Sequence, residues 1–108
     1  PAGVFKYFAE ICQVPRPSKK EEKIIAYLKA FGEKHNLETK VDEAGNVLIK
    51  KPATPGKENL QTVILQSHVD MVCEKNNDVE HDFLVDPIET EIDGEWMKAK
   101  GTTLGADN

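Results

Sequence analysis

The chain has 108 residues, 39% of them hydrophobic and 31% charged, and a formal net charge of −5 at pH 7. That length suits one small domain and not two. The acidic balance offers no basic face to phosphates, which excludes a nucleic-acid partner, and no apolar run approaches the ~20 residues of a membrane span. The start, Pro1-Ala2-Gly3-Val4-Phe5-Lys6, has neither the basic end nor the apolar centre of a signal peptide. Cys12 and Cys73 lie too far apart in sequence to suggest a disulfide framework, and they point to a cytoplasmic protein.

Val4, Phe5, Phe8, Ile11 and Cys12 recur at helical spacing and predict an amphipathic helix over residues 3–13. Val14-Pro15-Arg16-Pro17 ends it, because proline disfavours helical geometry in the residue before it. Ser18 is then expected as the N-cap of a second helix, with Glu21 completing a capping box. Ile24, Ile25, Leu28 and Phe31 supply that helix's apolar stripe, and it should end near Asn36. Residues 38–42 and 46–51 predict a hairpin turning around Glu43-Ala44-Gly45.

The loop Pro52-Ala53-Thr54-Pro55-Gly56 leads into Thr62-Val63-Ile64-Leu65-Gln66-Ser67, an apolar run expected to be a buried central strand. Residues 74–86 are polar and acidic, a solvated loop. Residues 88–92 and 95–100 predict a second hairpin, with Asp93-Gly94 supplying the positive φ angles of a type I′ turn and Trp96 packing on the hairpin. There is no internal repeat. The pattern is α/β with a mixed sheet, and it is incomplete: so apolar a central strand calls for helices on both faces.

His68-Val69-Asp70 follows that run directly. Side chains alternate along an extended chain, so His68 and Asp70 project to one side and Val69 to the other. The carboxyl end of a strand is where open α/β sheets place their sites, and an imidazole beside a carboxylate suits a zinc ligand with its orienting partner. A lone His-x-Asp is also compatible with a satisfied strand-end histidine and a capping carboxylate. Of the other candidates, His81 sits in the acidic loop, His35 near a helix end suits the negative end of the dipole, and Cys73 is expected to pack.

Three stretches carry a family resemblance: Gln66-Ser67-His68-Val69-Asp70-Met71-Val72-Cys73-Glu74-Lys75, Val14-Pro15-Arg16-Pro17-Ser18, and Gly101-Thr102-Thr103-Leu104-Gly105-Ala106-Asp107-Asn108. Together they resemble the amino-terminal part of the cytosolic aminoacyl-histidine dipeptidases, the Xaa-His or non-specific dipeptidases among the co-catalytic zinc peptidases related to aminoacylases. Proteins of that family are several-fold longer. The resemblance therefore implies an amino-terminal fragment, with residues 1–108 forming the first part of a three-layer α/β/α metallopeptidase catalytic domain. The rest of that domain and a lid-type domain would lie beyond.

It further implies two divalent metal ions, zinc, in the intact enzyme. His68 would bind one of them and Asp107 would bridge both. Asp70 would be the residue of the catalytic apparatus that hydrogen-bonds a ligand histidine instead of binding metal. Gly101 and Gly105 fit a loop turning sharply below the metals. The general-base glutamate and the remaining ligands would follow residue 108. The implied parent is a cytoplasmic, homo-oligomeric dipeptidase acting on Xaa-His and other unblocked dipeptides, and this piece would be inactive alone. Two other readings stand beside it: a small non-catalytic binding or interaction module retaining an ancestral metal motif, and a deacetylase-type hydrolase of the same superfamily. The context Asp70-Met71-Val72-Cys73-Glu74-Lys75 disfavours the latter.

Overall fold

The computed structural model describes residues 1–106. Its elements are α1 (Ala2–Cys12), α2 (Glu22–Lys34), β1 (Glu38–Val41), β2 (Val47–Lys50), β3 (Thr90–Asp93) and β4 (Trp96–Ala99). They fall into two units, Pro1–Ile24 with Val69–Asn108, and Ile25–His68. The α/β content matches the sequence reading. The single mixed sheet does not, since β1–β2 and β3–β4 form separate two-stranded antiparallel sheets.

In the first unit, α1 lays Phe8 and Cys12, one turn apart, against Met71 and Ile88. The amide of Ile88 donates to the Cys12 carbonyl at 2.9 Å, which ties the approach to β3 to the end of α1. β3 and β4 pair from Thr90↔Ala99 to Asp93↔Trp96. The two-residue loop is therefore Gly94-Glu95 rather than Asp93-Gly94. Of the two, only Gly94 has a positive φ, +61°. That is the pattern of a type II′ turn, not the expected type I′. Trp96 is 72% exposed and so does not serve as a packing residue of the described chain.

The second unit starts with most of α2, which ends in a Schellman motif. Asn36 takes the left-handed conformation at φ +54°, and the amides of Leu37 and Asn36 donate to the carbonyls of Gly32 (2.9 Å) and Glu33 (3.0 Å). Gly32 is buried because β1 passes close by. A Cβ there would lie 1.9 Å from Thr39 Oγ1, so only glycine permits the approach. β1 and β2 pair from Glu38↔Lys50 to Val41↔Val47. Their turn is organised by Asp42, whose Oδ1 accepts from the amides of Ala44 (3.0 Å) and Asn46 (2.8 Å), while Oδ2 accepts from Asn46 Nδ2 (2.8 Å).

The expected buried strand at 62–67 is the largest departure. These residues adopt no ladder, and Val63, Ile64 and Leu65 are 78%, 82% and 92% exposed. A strand exists only through a neighbour's hydrogen bonds. Among the described residues both hairpins are self-paired, and nothing pairs with 62–67. The apolar pattern records a preference for burial that these 106 residues do not fulfil.

Two outcomes follow. The Asn46 side chain first, and then backbone amides, hold the exposed Asp42 carboxyl below its ordinary value of 3.8. The turn thus gains from the carboxylate above that value and loses the gain as pH falls through the lower folded one. Carbon-detected NMR titration should show the lowered midpoint. Asp42→Ala should speed amide exchange at residues 44–46, and unaltered exchange would contradict the turn's dependence on this side chain. The isolated chain should also self-associate at micromolar concentration through its exposed apolar run. Light scattering that returned a clean monomer would refute this.

Candidate functional site

Arg16 lies between two prolines, each fixed near φ −65° and each pushing the residue before it towards extended geometry. Residues 15–17, between a bend at Val14 and a turn starting at Ser18, can therefore be laid along another segment. Pro17 forms a parallel bridge with Met71, and the Met71 amide donates to the Arg16 carbonyl at 3.0 Å. The Arg16 side chain folds inwards and is 2% exposed. Its Nη1 donates to the carbonyls of Ile11 (3.0 Å) and Val14 (3.4 Å), at and just beyond the end of α1. Nη2 is buried with no partner among the described residues.

Burial draws the Arg16 pKa down, against an opposing pull from Cys12 and Cys73. Burial likewise pushes both thiols up, more than Arg16 lowers them. Neither cysteine has the environment of a nucleophile, since the thiolate is the reactive form. Cys73 packs against the Cys12–Met71–Ile88 cluster, as expected from the sequence.

Ser18 is not a helix cap. Its Oγ donates to Asp70 Oδ2 at 2.5 Å and lies 3.5 Å from the Met71 carbonyl. Lys19 turns the chain with φ +68°. Glu21 Oε1 accepts from the Lys19 amide at 2.6 Å instead of closing a capping box on Ser18. Helix α2 consequently begins only at Glu22.

The glycine-rich stretch runs along the far end of the same central segment. Lys75 forms an antiparallel bridge with Thr102, and the Asn76 amide donates to the Gly101 carbonyl at 2.8 Å. The Thr103 amide donates to the Glu74 carbonyl at 2.9 Å, and Thr103 Oγ1 donates to the Val72 carbonyl at 2.8 Å. Gly101 and Gly105 both have φ +75°. A Cβ at Gly105 would lie 2.5 Å from Met71 Cε, and one at Gly101 would lie 2.5 Å from Val79 Cγ2. Both glycines of the expected sharp loop are thus required by conformation and by close approach.

Of the site residues expected from the sequence, Asp70 is half-buried and bonded to Ser18, and His68 is exposed at the end of the second unit. Asp107 lies outside the described residues. His81, half-buried, sets its ring 4.5 Å from that of Phe83, and His35 sets its ring 4.4 Å from Phe31. Imidazole and carboxylate donors suit a divalent metal chemically. A zinc site takes three or four protein ligands, and among the described residues no group of three or more His, Cys, Asp or Glu could hold a metal ion. The described residues alone therefore do not make a metal site. Sequence reasoning missed Ser18 and Arg16 as supports of Asp70. The available signal was their presence in a quoted motif in which two prolines enforce an extended run.

No protein-family model matches the chain. Over all 108 residues it is 51% identical to the cytosol non-specific dipeptidase of Escherichia coli strain K12, spanning 22% of that protein. The resemblance is to the cytosolic dipeptidases. A crystal structure of aminoacylhistidine dipeptidase from Vibrio alginolyticus superposes with a TM-score of 0.95 at 52% identity, over 99% of this chain and 22% of that one. The chain thus spans about a fifth of the length of the dipeptidases it matches, and it is similar to a piece of them throughout.

The fit of Gly105 over Met71 can be probed directly. Gly105→Ala should cost about 1–2 kcal/mol from the left-handed backbone alone, with a further penalty for displacing the Met71 methyl. Denaturant unfolding should show this as a lower midpoint, and an unchanged midpoint would mean that the loop relaxes freely.

Proposed function

We propose that this chain is the amino-terminal part of the catalytic domain of a cytoplasmic metallo-dipeptidase. The parent protein would hydrolyse unblocked dipeptides, including those with carboxy-terminal histidine, and the remainder of the catalytic domain and a lid-type domain would lie outside these residues. The observation that carries this reading is a convergence. The three stretches quoted for the resemblance contain the segments 14–18, 70–75 and 101–103, which meet through one set of backbone and side-chain contacts in a chain 51% identical throughout to a cytosol non-specific dipeptidase.

In this reading His68 and Asp107 would hold the metal ions, Asp107 as a ligand shared between the two, and Asp70 would hydrogen-bond a ligand histidine, fixing its ring and tautomer. When bound, two zinc ions would supply an activated water and polarisation of the scissile carbonyl. The further ligands and the general base would come from residues outside this chain. The chain by itself should be catalytically inert, because it offers fewer donors than a closed zinc site needs. The parent is expected to assemble as a homo-oligomer, with a dipeptide as its substrate and with neither nucleic acid nor membrane as a partner.

The full-length protein should turn over dipeptides and lose activity on exhaustive chelation, and His68→Ala should abolish turnover together with bound metal. Activity that survives chelation would defeat the two-metal reading. The isolated 108-residue chain should show no turnover and only weak zinc affinity by calorimetry. Sub-micromolar binding of two zinc ions to it would be the contrary result.

A further inference from the structure

We infer that Ser18 is a positioning residue for the Asp70 carboxylate, held in place by the buried Arg16 that precedes it; this rests on the reading of Asp70 given above. The bond from Ser18 Oγ to Asp70 Oδ2 is 2.5 Å and joins residues 52 apart in sequence. A hydroxyl on a carboxylate is a charge-assisted bond, about twice as strong as a neutral one. The last torsion of an aspartate is broad, so a donor on one carboxylate oxygen selects an orientation that backbone pairing leaves free.

A purely structural account of Ser18 is weaker on three grounds. Ser18 does not cap α2, which begins four residues later at Glu22. The pairing of 16–17 with 71 is already made by the Met71 amide and the Pro17 bridge, so the side-chain bond is not required for it. Ser18 is itself exposed, and what is constrained is the backbone that carries its hydroxyl. Arg16 is anchored on the Ile11 and Val14 carbonyls, Pro17 is ring-constrained, and Lys19 turns away at φ +68°. A donor carried on a constrained backbone beside a half-buried acidic side chain suits orientation control.

The test uses the full-length dipeptidase. Ser18→Ala should lower kcat about tenfold, the scale of a modest misalignment, with KM within about twofold and an unchanged melting temperature. Ser18→Thr, which keeps the hydroxyl, should recover kcat to within about threefold of the parent. In an Asp70→Asn background Ser18→Ala should add little, since residues acting through one another are not additive. A kcat for Ser18→Ala within twofold of the parent would overturn the inference. So would a Thr variant as slow as the Ala variant, or full additivity with Asp70→Asn. Parental activity in Asp70→Asn alone would instead bring down the site reading beneath it.

Discussion

The first unit is organised around Met71. Its amide donates to the Arg16 carbonyl, its own carbonyl faces Ser18 Oγ and Cys73 Sγ, and its side chain sits in the core with Cys12 and Ile88 beneath Gly105. One residue thus fixes three segments that lie far apart in sequence: the proline-flanked loop, the stretch following His68 and the glycine-rich loop. Because Asp70 is its immediate neighbour, the geometry of the acidic side chain is inherited from the packing of Met71. An unbranched thioether suits this place, since it fills an irregular gap beneath Gly105, which brings no side chain of its own.

Arg16 shows what that arrangement costs. A guanidinium taken out of water loses hydration that only hydrogen bonds can restore, and here Nη1 has acceptors while Nη2 has none among the described residues. What the burial achieves is local. The last carbonyls of a helix have no intrahelical donors, and Arg16 reaches back to that of Ile11 and to that of Val14 just past the helix end. The cation adds to the Gln13 and Val14 amides, which already bond the Glu10 and Ile11 carbonyls, and ties the proline-flanked loop to the end of α1. An arginine suits this use because a single guanidinium nitrogen, here Nη1, carries two N–H donors, one for each acceptor.

How much could be read from the sequence followed the range of each interaction. Both helices and both hairpins were legible because periodicity, proline stops and glycine turns are local signals. Even the error at Gly94 was a shift of one residue in a loop whose existence was clear. The failures were all long-range. Ser18 has every local mark of an N-cap, and only the presence of Asp70 52 residues away redirects its hydroxyl. Trp96 looked like a packing residue, yet hairpin pairing places it where nothing in the described chain covers it. The candidate site divides the same way: His68 and Asp70 stand out by residue type and spacing, whereas the support of Asp70 by Ser18 is visible only as a contact.

The run at 62–67 makes the limit explicit. Its β-branched and aliphatic residues describe a burial environment, and the prediction of a central strand was a statement about neighbours as much as about these residues. In each hairpin the two strands pair with each other and not with this run. The described chain leaves the run without a ladder and exposed, and the chain spans 22% of the length of the dipeptidases it matches. Local elements survive in so short a piece because their hydrogen bonds close within a few residues. A central strand cannot, because both its edges and both its faces are made by other parts of a chain. The segment that leads directly into His68 is therefore the one whose structure the described residues determine least.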